Sequence, residues 1–536
     1  MKKTREPTIE INPGFRRALD IMEGTNRHVF ITGKAGTGKS TLLELFRAQT
    51  PKRIAVLAPT GVAALNVRGQ TIHSFFGFKP DVTPDGVRKL PKAKGRDAVY
   101  KNLDAIVIDE VSMVRADLMD CVEKFLRLNG PRPKDWFGGL QMIFIGDLYQ
   151  LPPVVTGHER GLFGGGRGGG GNGRYESPYF FSAQIFGELT FDLDFVELEK
   201  VYRQTDAEFI DLLNAIRNRS IDDERIERLN SRCRPDFFPP DGEFYITLTS
   251  TNDLAAVRNR EKLAALPGRA RSYAGMTEGE FDRSSLPTEE SLELKPGAQV
   301  MLLTNDRHGR WVNGTIGRVD RIVKVAGGDD IIAVDIPEAG RVEISPNTWE
   351  LYHFRYDAQA DRIESEAVGS FTQYPLRLAW AVTIHKSQGK TFDRVVIDIG
   401  RGAFAHGQVY VALSRCTSFE GIILMTPIFK KHILMDWRIV RFLTRFQYKK
   451  AEDALPTGDR RALVLEAIRS GGELEIVYLK PDDTKSRRRI RPEAVEMMEY
   501  RGRTFEGVRA YCHKRGALRH FRLDRMLEIS PSKKSL

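Results

Sequence analysis

The segment GKAGTGKS, residues 33–40, constrains the fold of this chain more than any other part of its sequence. It matches the phosphate-binding pattern G-x-x-x-x-G-K-[ST] at every fixed position. An apolar run, HVFIT, precedes it, and a helical sequence, TLLELFRAQ, follows it. A strand, a glycine-rich turn and a helix in this order form the phosphate loop of nucleotide-binding α/β domains. The segment therefore predicts an α/β fold that binds a nucleoside triphosphate.

Each residue type in this loop has a chemical reason to be there. The glycines let backbone N–H groups close on the phosphates, where the helix N-terminus favours negative charge. Lys39 reaches the β- and γ-phosphates, and the hydroxyl of Ser40 is a ligand for Mg²⁺. The predicted cofactors are therefore ATP and Mg²⁺. The predicted nucleotide contacts are Gly33, Lys34, Ala35, Gly36, Thr37, Gly38, Lys39, Ser40 and Thr41.

A second apolar run, AIVID, leads into an acidic pair, Asp109 and Glu110. A carboxylate at a strand end beside a phosphate loop can hold Mg²⁺, which assigns Asp109 to the metal together with Ser40. Glu110 is then available to orient and deprotonate the attacking water. The pair predicts that the nucleotide is hydrolysed and not only bound.

Short continuous apolar runs recur along the chain, as in parallel sheets whose strands are buried on both faces. Amphipathic stretches lie between them, for example Phe15, Ala18, Leu19 and Met22 at helical spacing. This alternation predicts two α/β domains. The predicted strands lie at 28–32, 54–59, 105–109, 141–147, 244–249, 394–400 and 421–426.

Three segments interrupt this alternation. Residues 161–174 contain nine glycines and predict a flexible loop. Residues 297–372 are rich in β-type sequence and turns, which predicts a small β-barrel inserted into the second α/β domain. Residues 458–536 hold 19 Lys and Arg against 12 Asp and Glu, so +7 of the chain's net charge of +11 lies there.

The basic composition favours a polyanionic partner, most simply nucleic acid. The four cysteines, Cys121, Cys233, Cys416 and Cys512, are isolated, so neither a zinc site nor a disulfide framework is expected. The first residues, MKKTREPTIE, lack the apolar stretch of a signal peptide, and no run is long enough for a membrane span. We therefore expect a soluble, cytoplasmic protein without a membrane partner.

Five further motifs extend the argument from ATP hydrolysis to movement on DNA. In this order they resemble the motifs of superfamily 1B DNA helicases of the Pif type (petite integration frequency), over about residues 12–430. They are APTGVAALNVRGQTIHSFFGF (58–78), FIGDLYQLPPV (144–154), VYRQTDAEFIDLLNAIR (201–217), WAVTIHKSQGKTFDRVVIDIG (380–400) and GQVYVALSRCTSFEGIIL (407–424).

The resemblance implies a domain organisation and an activity. The activity is ATP-driven 5′→3′ movement on single-stranded DNA, with unwinding of forked, duplex or G-quadruplex DNA and roles in DNA repair, recombination and telomere maintenance. The oligomeric state stays open, and a monomer is compatible. The implied domains are a RecA-like motor domain at 1–200 with a strand-separating wedge at about 77–100, a second RecA-like domain at 201–296 and 373–450, and an Src-homology-3-like barrel at 297–372. A linker at 451–457 follows, and a separate resemblance of the tail, given below, implies a Sm-like barrel at 458–536.

The resemblance also assigns roles around the nucleotide. Arg203 and Arg415 are the candidate arginine fingers, whose fixed charges stabilise the transferring phosphoryl group. Both would reach the phosphates across a cleft between the motor domains, so cleft closure on ATP is the expected power stroke. Gln150 is expected to sense the γ-phosphate, and Gln388 to contact the nucleotide and couple the two sites.

The expected DNA contacts of the motor are Thr60, His73, Phe75, His385 and Lys386. Hydroxyl and imidazole groups position phosphates, whereas aromatic rings stack on bases of any identity, as a translocating motor requires. For Phe75 the alternative is core packing next to Phe76.

One departure from the family concerns the base of the nucleotide. The family usually has a Gln ahead of the phosphate loop that reads adenine, whereas INPGFRRALDI (11–21) contains none. Either Asn12 substitutes for this Gln, or the base is read loosely.

The basic tail resembles a WYL domain, in the segments 474–497 and 503–529, although the naming triplet itself is absent. This resemblance implies binding of nucleic acid or another anion, with a solvated charged face as the alternative. The candidate contacts are Arg487, Arg489, Arg491, Tyr511, His513, Arg519, Arg522 and Arg525.

Two other functions are compatible with these motifs. The chain could be a RecD-like subunit of a recombination complex, although it has no cluster of nuclease carboxylates. It could also be an ATP-gated DNA-binding regulator, because WYL modules accompany transcription regulators. Only the helicase is expected to separate strands by itself.

Overall fold

The computed structural model describes residues 11–91, 96–157, 159–164, 173–204, 206–240, 242–281, 283, 286–337, 339–400, 405–481, 484–500 and 502–532. The chain divides into two compact units, residues 1–216 with 222–434, and residues 217–221 with 435–536. Within the described ranges, no helix combines the length and apolar character needed to cross a membrane.

The α-helices of the described residues are α1 (Pro13–Gly24), α2 (Lys39–Gln49), α3 (Gly61–Asn66), α4 (Ile72–Phe76), α5 (Arg96–Asn102), α6 (Ala116–Asn129), α7 (Ala207–Arg217), α8 (Asp223–Asn230), α9 (Asn252–Ala265), α10 (Gln408–Leu413), α11 (Trp437–Ala454) and α12 (Thr457–Ser470).

The strands are β1 (His28–Gly33), β2 (Ile54–Ala58), β3 (Gln70–Thr71), β4 (Ala105–Ile108), β5 (Gln141–Ile145), β6 (Leu193–Leu198), β7 (Ile246–Thr249), β8 (Arg271–Ala274), β9 (Met276–Gly279), β10 (Ser291–Leu294), β11 (Gln299–Leu302), β12 (Ile316–Val323), β13 (Ile331–Ile336), β14 (Gly340–Ile344), β15 (Asn347–Asp357), β16 (Arg362–Gln373), β17 (Leu376–Leu378), β18 (Ala381–Thr383), β19 (Val395–Asp398), β20 (Ile422–Leu424), β21 (Leu474–Leu479), β22 (Lys485–Tyr500), β23 (Arg503–Cys512), β24 (Ala517–Arg522) and β25 (Met526–Pro531).

The first unit contains two parallel sheets, in the orders β3-β2-β4-β5-β1-β6 and β18-β7-β19-β20. Strands β4, β5 and β7 are buried along their whole length, as in parallel sheets that are covered on both faces. The predicted α/β class is thereby confirmed. Strand β6, which pairs in parallel with β1, is not among the predicted strands, because LDFVEL alternates apolar and acidic residues at the edge of the sheet.

Helix α1 illustrates how the sequence determines a local structure. The side chain of Asn12 caps the helix by accepting from the backbone N–H of Phe15, and Pro13 occupies the first turn. The apolar face at helical spacing packs into the core of the first parallel sheet. This core joins helices α1 and α2 to strands β1, β2, β4, β5 and β6.

The insertion expected at 297–372 differs from its predicted bounds. A five-stranded antiparallel sheet, β14-β13-β12-β11-β17, starts at Gln299 and takes its last strand from Leu376–Leu378, beyond residue 372. Strands β15 and β16 form a long hairpin that pairs with β9 and not with this sheet. The prediction did not separate the two sheets because both show the same alternation of polar and apolar residues.

The second unit contains α11, α12 and a five-stranded antiparallel sheet in the order β24-β23-β22-β21-β25. Helix α12 packs on one face of this sheet through Val464 and Ala467. The linker expected at 451–457 is helical up to Ala454, because Ala451 is buried with Leu479 and Leu527 of the sheet.

Candidate functional site

The phosphate loop connects β1 to α2, as its sequence predicts. Gly36 and Gly38 adopt φ values of 78° and 84°, in the left-handed region that glycine enters without strain. A cavity of about 820 Å³ lies on this loop. The loop residues that line it are Ala35, Gly36, Thr37, Gly38, Lys39, Ser40 and Thr41.

Two predicted contacts, Gly33 and Lys34, are not among the lining residues. Their carbonyl oxygens accept hydrogen bonds from Nζ of Lys39, at 2.8 Å and 3.1 Å. Both residues therefore hold the ammonium group of Lys39, which lines the cavity.

The acidic pair lies at the C-terminal edge of the same sheet, immediately after β4. Asp109 is buried, and burial together with the charge of Glu110 raises its pKa above the ordinary value. Glu110 lines the cavity and has a φ of 48°, which is unusual for a residue with a side chain. Burial also raises the pKa of Glu110, whereas the charges of Lys39 and Arg415 lower it.

Gln150 follows β5 and also lines the cavity. Its Nε2 donates to Oδ2 of Asp147 at 3.3 Å, and the backbone N–H of Gln150 donates to the carbonyl of Asp147 at 2.9 Å. Asp147 is fully buried and is not among the residues predicted from the sequence, although it lies in the quoted motif FIGDLYQ.

Both candidate arginine fingers line the cavity. Arg203 lies directly against the loop, since a Cβ at Gly36 would be 2.4 Å from the Cβ of Arg203. Its guanidinium donates to the carbonyls of Ser414, at 3.3 Å, and Gly389, at 3.5 Å. Burial lowers its pKa from the ordinary value.

Arg415 is only 1% exposed, and its guanidinium donates to three backbone carbonyls of the second parallel-sheet domain. These belong to Val411, Lys390 and Ser387, at 3.0, 3.3 and 3.5 Å. Burial and the charge of Arg203 lower its pKa, and the charge of Glu110 opposes that shift. The structure therefore brings both arginines to the phosphate loop.

Gln388 is not among the residues that line the cavity. The cavity is lined by its neighbours Gly389 and Thr391, and the side-chain Nε2 of Gln388 is buried with no partner among the described residues. The short turn that contains it directs the backbone carbonyls of Ser387, Gly389 and Lys390 to the arginines.

The expected DNA contacts of the first domain lie after β2 and β3. Thr60 is exposed and caps α3 through its side-chain oxygen. His73 is half-buried in α4, and burial together with the charge of Arg115 lowers its pKa. Because these residues follow parallel strands, they lie at the same sheet edge as the phosphate loop.

The stacking role expected for Phe75 is wrong for this structure. Phe75 is 7% exposed and packs edge-on against Phe76, Tyr100 and Phe354, with ring centroids 4.8, 5.3 and 5.9 Å away. The alternative, core packing, is what the structure has, because the apolar face of short helix α4 turns inward.

His385 and Lys386 follow β18 in the second parallel-sheet domain. Burial lowers the pKa of His385, and desolvation with the charge of Arg377 lowers that of Lys386. At the end of the same turn, Nζ of Lys390 donates to Oδ1 of Asn313 at 2.6 Å. The turn 385–390 thus joins the expected DNA contacts to the carbonyls that bind the arginines.

In the second unit, the strand register collects most of the expected anion contacts on one face of the sheet. Arg487, Arg489 and Arg491 alternate along β22, and Arg491 is opposite Tyr511 of β23, with its guanidinium 5.7 Å from the ring centroid. The opposite face carries the core, through Ile490 and other apolar residues. Arg522 shares the polar face, and His513, which follows β23, pairs with the same Glu473 as Arg489.

Two expected contacts lie elsewhere. Arg519 is paired with the buried Ala510, so it belongs to the core-side face at the sheet edge, although it is exposed. Arg525 lies in a single 3₁₀ turn, and its Nε is buried without a partner among the described residues. Strand β24 ends at Arg522, and the next residue, Leu523, is buried in the core.

Sequence reasoning missed two aromatic rings of the cavity, Phe15 and Tyr202. The helical spacing assigns Phe15 to the apolar face of α1, to which it also belongs. Tyr202 precedes Arg203 in the motif VYRQ, and this adjacency was the one signal that could have identified it.

Comparisons with known proteins agree with this arrangement. A family model described as PIF1-like helicase matches residues 15–163, and one described as WYL domain matches residues 461–531. The chain is 36% identical over 405 residues to ATP-dependent DNA helicase PIF1 of Homo sapiens, covering 74% of this chain and 57% of the human protein. It is 32% identical over 453 residues to ATP-dependent DNA helicase Pif1 of Bdellovibrio bacteriovorus, covering 82% and 93%.

The chain thus spans about three fifths of the length of its human and Emericella nidulans relatives and nearly all of the bacterial one. The fold is similar to the crystal structure of Bacteroides sp Pif1 in complex with ADP-AlF4, with a TM-score of 0.72 and 32% identity over 82% of this chain and 98% of that one. Bacteroides Pif1 bound to ssDNA matches with a TM-score of 0.58 and 32% identity over the same shares. The resemblance inferred from the motifs is confirmed: the chain belongs to the PIF1-like helicase family and carries a WYL domain over residues 461–531.

Proposed function

We propose that this chain is an ATP-dependent DNA helicase that moves along single-stranded DNA. One observation carries the proposal: the turn 385–390 provides carbonyls that bind both candidate arginine fingers and also bears His385 and Lys386. A change in the bound nucleotide that moves the arginines would therefore move the expected DNA contacts through the backbone of this turn. The names of the relatives and the ssDNA-bound neighbour support the same activity.

The described side chains suit the hydrolysis of ATP. Ser40 and Asp109 would hold Mg²⁺, which supplies charge neutralisation on the phosphates. The donor set fits this ion, since a hydroxyl and a carboxylate are oxygen ligands and the carboxyl group of Asp109 is buried beside the charge of Glu110. Lys39 would bind the phosphates, and Glu110 would take the proton of the attacking water.

Arg203 and Arg415 would complete the site from the second domain's side. Their donors now engage backbone carbonyls of residues 387–414, so phosphate oxygens would compete for the same N–H groups. Exchange of carbonyls for phosphates is a direct route from nucleotide state to the shape of the turn 385–390. Movement of His385 and Lys386 on a DNA strand would follow from that change.

A strand-separation experiment tests the proposal. The full chain is incubated with ATP, Mg²⁺ and a DNA duplex that carries a single-stranded tail at one 5′ end. The same duplex with the tail at a 3′ end is the control. We expect unwinding of the 5′-tailed duplex only, because the protein would move 5′→3′ on the tail. The Lys39→Ala variant should unwind neither substrate. DNA-stimulated hydrolysis without strand separation would contradict the proposal and favour a regulator or a RecD-like subunit. An intracellular location on DNA follows from the same substrate.

A second, accessory function is favoured by the polar face of the second unit. We propose that the face containing Arg487, Arg491 and Tyr511 binds phosphates of single-stranded nucleic acid, with the ring available for a base. Arg489 and His513 are less available, because both pair with Glu473. The competing interpretation is a solvated face whose arginines bind no ligand.

Salt dependence separates these two interpretations. Each phosphate contact contributes about 0.7 to the slope of log K against log salt for a single strand. The double variant Arg487→Gln with Arg491→Gln should therefore lower the slope of ssDNA binding by about 1.4. An unchanged slope would assign the face to solvent alone.

A further inference from the structure

Three consecutive backbone carbonyls lie at and beyond the end of helix α10, around the candidate finger Arg415. Helix α10 ends at Leu413, and the carbonyls belong to Ser414, Arg415 and Cys416. All three residues are buried. Buried carbonyls beyond a helix end need donors from other segments, because neither the helix nor water supplies them. The segments that donate to them therefore fix the backbone of Arg415.

One buried side chain donates to two of these carbonyls. Nε2 of Gln204 donates to the carbonyl of Ser414 at 3.2 Å and to that of Cys416 at 3.0 Å. Between them, the carbonyl of Arg415 accepts from the backbone N–H of Phe392 at 2.9 Å. A side-chain amide nitrogen carries two N–H groups, so Gln204 uses both. The carbonyls on either side of the candidate finger are thus held by a single amide.

The segment that carries Gln204 is attached to the phosphate loop. The backbone N–H of Tyr202 donates to the carbonyl of Gly36 at 2.8 Å, and Arg203 packs against the same glycine. Gln204 is the next residue, so its amide connects the backbone around Arg415 to a segment that the loop itself holds. The place of Arg415 relative to the phosphates therefore depends on this amide as well as on the second parallel-sheet domain.

Ser414 connects the amide to both guanidinium groups. Its Oγ accepts from Nη2 of Arg415 at 2.9 Å, and its carbonyl accepts from Nη1 of Arg203 at 3.3 Å. The same carbonyl accepts from Gln204, so a shift of Ser414 would change the acceptors of both arginines. A misplacement of about 1 Å caused by a residue outside the chemistry can lower a rate by about 10²-fold. Loss of the amide should therefore be visible in catalysis.

We propose that Gln204 is a positioning residue for ATP hydrolysis. Its amide fixes the backbone on both sides of Arg415, so that the guanidinium meets the transferring phosphoryl group in one orientation. Gln204 is not among the residues that line the nucleotide cavity, so it acts through the arginine and not on the nucleotide. The inference rests on the proposed function in one respect, the role of Arg415 as an arginine finger.

Hydrolysis and binding of ATP by the full chain, with Mg²⁺ and ssDNA, test the proposal. Gln204→Met keeps the length of the side chain and removes both N–H donors. We expect kcat to fall by about 10- to 100-fold and the Kd for ATP to stay within about 3-fold of the wild type. A loss that followed only from weaker folding would not separate kcat from Kd in this way.

Gln299→Met is the matched control. Gln299 is 5% exposed and Gln204 is 3% exposed, and Nε2 of Gln299 also donates to two backbone carbonyls. These belong to Tyr245 and Ala379, at 2.8 Å and 2.7 Å. Gln299→Met thus removes the same pair of buried hydrogen bonds at a place outside the cavity lining. Its kcat should stay within about 2-fold of the wild type.

A double-mutant cycle identifies the group through which Gln204 acts. In an Arg415→Ala protein, Gln204→Met should change kcat by less than about 2-fold, because the group that it positions is already absent. Release of labelled phosphate measures these low rates. Gln204→Asn keeps a buried amide on a side chain one methylene shorter, and it replaces Gln204→Met if that protein does not fold. It should lower kcat by about 5-fold or more.

Three results would overturn the proposal. These are a kcat within 2-fold of the wild type in the glutamine variant, equal losses of kcat in Gln204→Met and Gln299→Met, and an undiminished effect of Gln204→Met in the Arg415→Ala protein. An Arg415→Ala protein with unchanged kcat would overturn both the proposed role of that arginine and this inference. If the variants behave as expected but the wild type unwinds neither tailed duplex, the inference is supported and the helicase is contradicted.

Discussion

Arg203 and Arg415 are the side chains on which the proposed chemistry depends most. Arg203 touches the loop at Gly36, and its charge is buried with carbonyls as its acceptors. An arginine finger stabilises the transition state more than the bound nucleotide, so its loss lowers kcat by roughly 10³-fold or more.

We therefore expect Arg203→Ala to lower kcat of DNA-stimulated ATP hydrolysis by about 10³-fold and to change the Kd for ATP by less than about 5-fold. Steady-state kinetics and equilibrium titration measure the two effects separately. Arg269→Ala, at an exposed arginine outside the cavity lining, is the control. A loss of kcat below 10-fold would remove Arg203 from the chemistry.

Lys390 is a further residue whose charge has a measurable consequence. Burial and the charge of Arg377 lower its pKa to about 8, while its Nζ donates to Asn313. The folded state then holds fewer protons than the unfolded state between about pH 8 and the ordinary lysine pKa of about 10.4. Stability should rise with pH in this window and stay constant below it.

The wild type should gain about 2 kcal/mol in free energy of unfolding between pH 7.5 and pH 9.5 from this residue, and Lys390→Met should lack that gain. Urea unfolding can be followed by Trp311 and Trp380, which pack on the core of the neighbouring sheet. Lys89→Met, at an exposed lysine, corrects for other groups. Equal pH dependence in wild type and Lys390→Met would contradict the shift.

At the scale of elements, the hairpin of β15 and β16 connects the inserted region to the first parallel-sheet domain. Phe354 packs on Phe75, Nε2 of His353 is 3.2 Å from Oγ of Ser74, and Asp361 pairs with Arg53 at 2.7 Å. The contacted helix, α4, also bears His73. The hairpin should therefore help to order an expected DNA contact.

We expect Phe354→Ala to weaken ssDNA binding by about 5-fold and to leave the Kd for ATP within about 2-fold. Fluorescence anisotropy with a labelled oligonucleotide measures the first value. Asp361→Asn is the matched control at the same hairpin, because its side chain is 71% exposed and such ion pairs contribute about 0–1 kcal/mol. If both variants bind ssDNA equally well, the hairpin does not order α4 for DNA.

At the scale of the whole molecule, the second unit has its own core and its own sheet. We expect deletion of 456–536 to retain ATP hydrolysis that depends on Lys39, because the phosphate loop and both arginines belong to the first unit. The deletion should make ssDNA binding less steeply dependent on salt, since it removes the polar face of the sheet. Titrations at several salt concentrations measure the slope, and an unchanged slope would contradict a DNA-binding role for this unit.

The deletion needs one structural precaution. It cuts between α11 and α12 and uncovers Ala451, which is buried with Leu479 and Leu527. Tyr448 lies on the same helix and packs against these residues. A second truncated protein that also carries Tyr448→Ser exposes less apolar surface, and it controls for the effect of the uncovered helix on the measurements. Both truncated proteins should hydrolyse ATP alike.

Much of the site follows from local sequence. Lys39, Asp109 and Gln150 follow three apolar runs, and parallel strands bring their C-terminal ends to one edge whatever the details of packing. The loop pattern requires Gly38, and the φ values of Gly36 and Gly38 both lie in the left-handed region that glycine enters without strain. The family could be recognised because its motifs are short and continuous in the chain.

Sequence by itself determined the α/β class, the phosphate loop and the acidic pair, because each depends on neighbouring residues and on strand polarity. The two candidate arginines were found through the resemblance to the family, because their place beside the loop depends on distant segments. Only the tertiary structure decided three features. Phe75 is buried, the hairpin of β15 and β16 pairs with β9 and not with the five-stranded sheet, and Asn12 is hydrogen-bonded to Tyr202. These depend on which side of an element meets which partner, across 190 residues of chain in the case of Asn12 and Tyr202. Periodicity identifies an apolar or polar face, but the partner of that face is fixed by packing between distant segments.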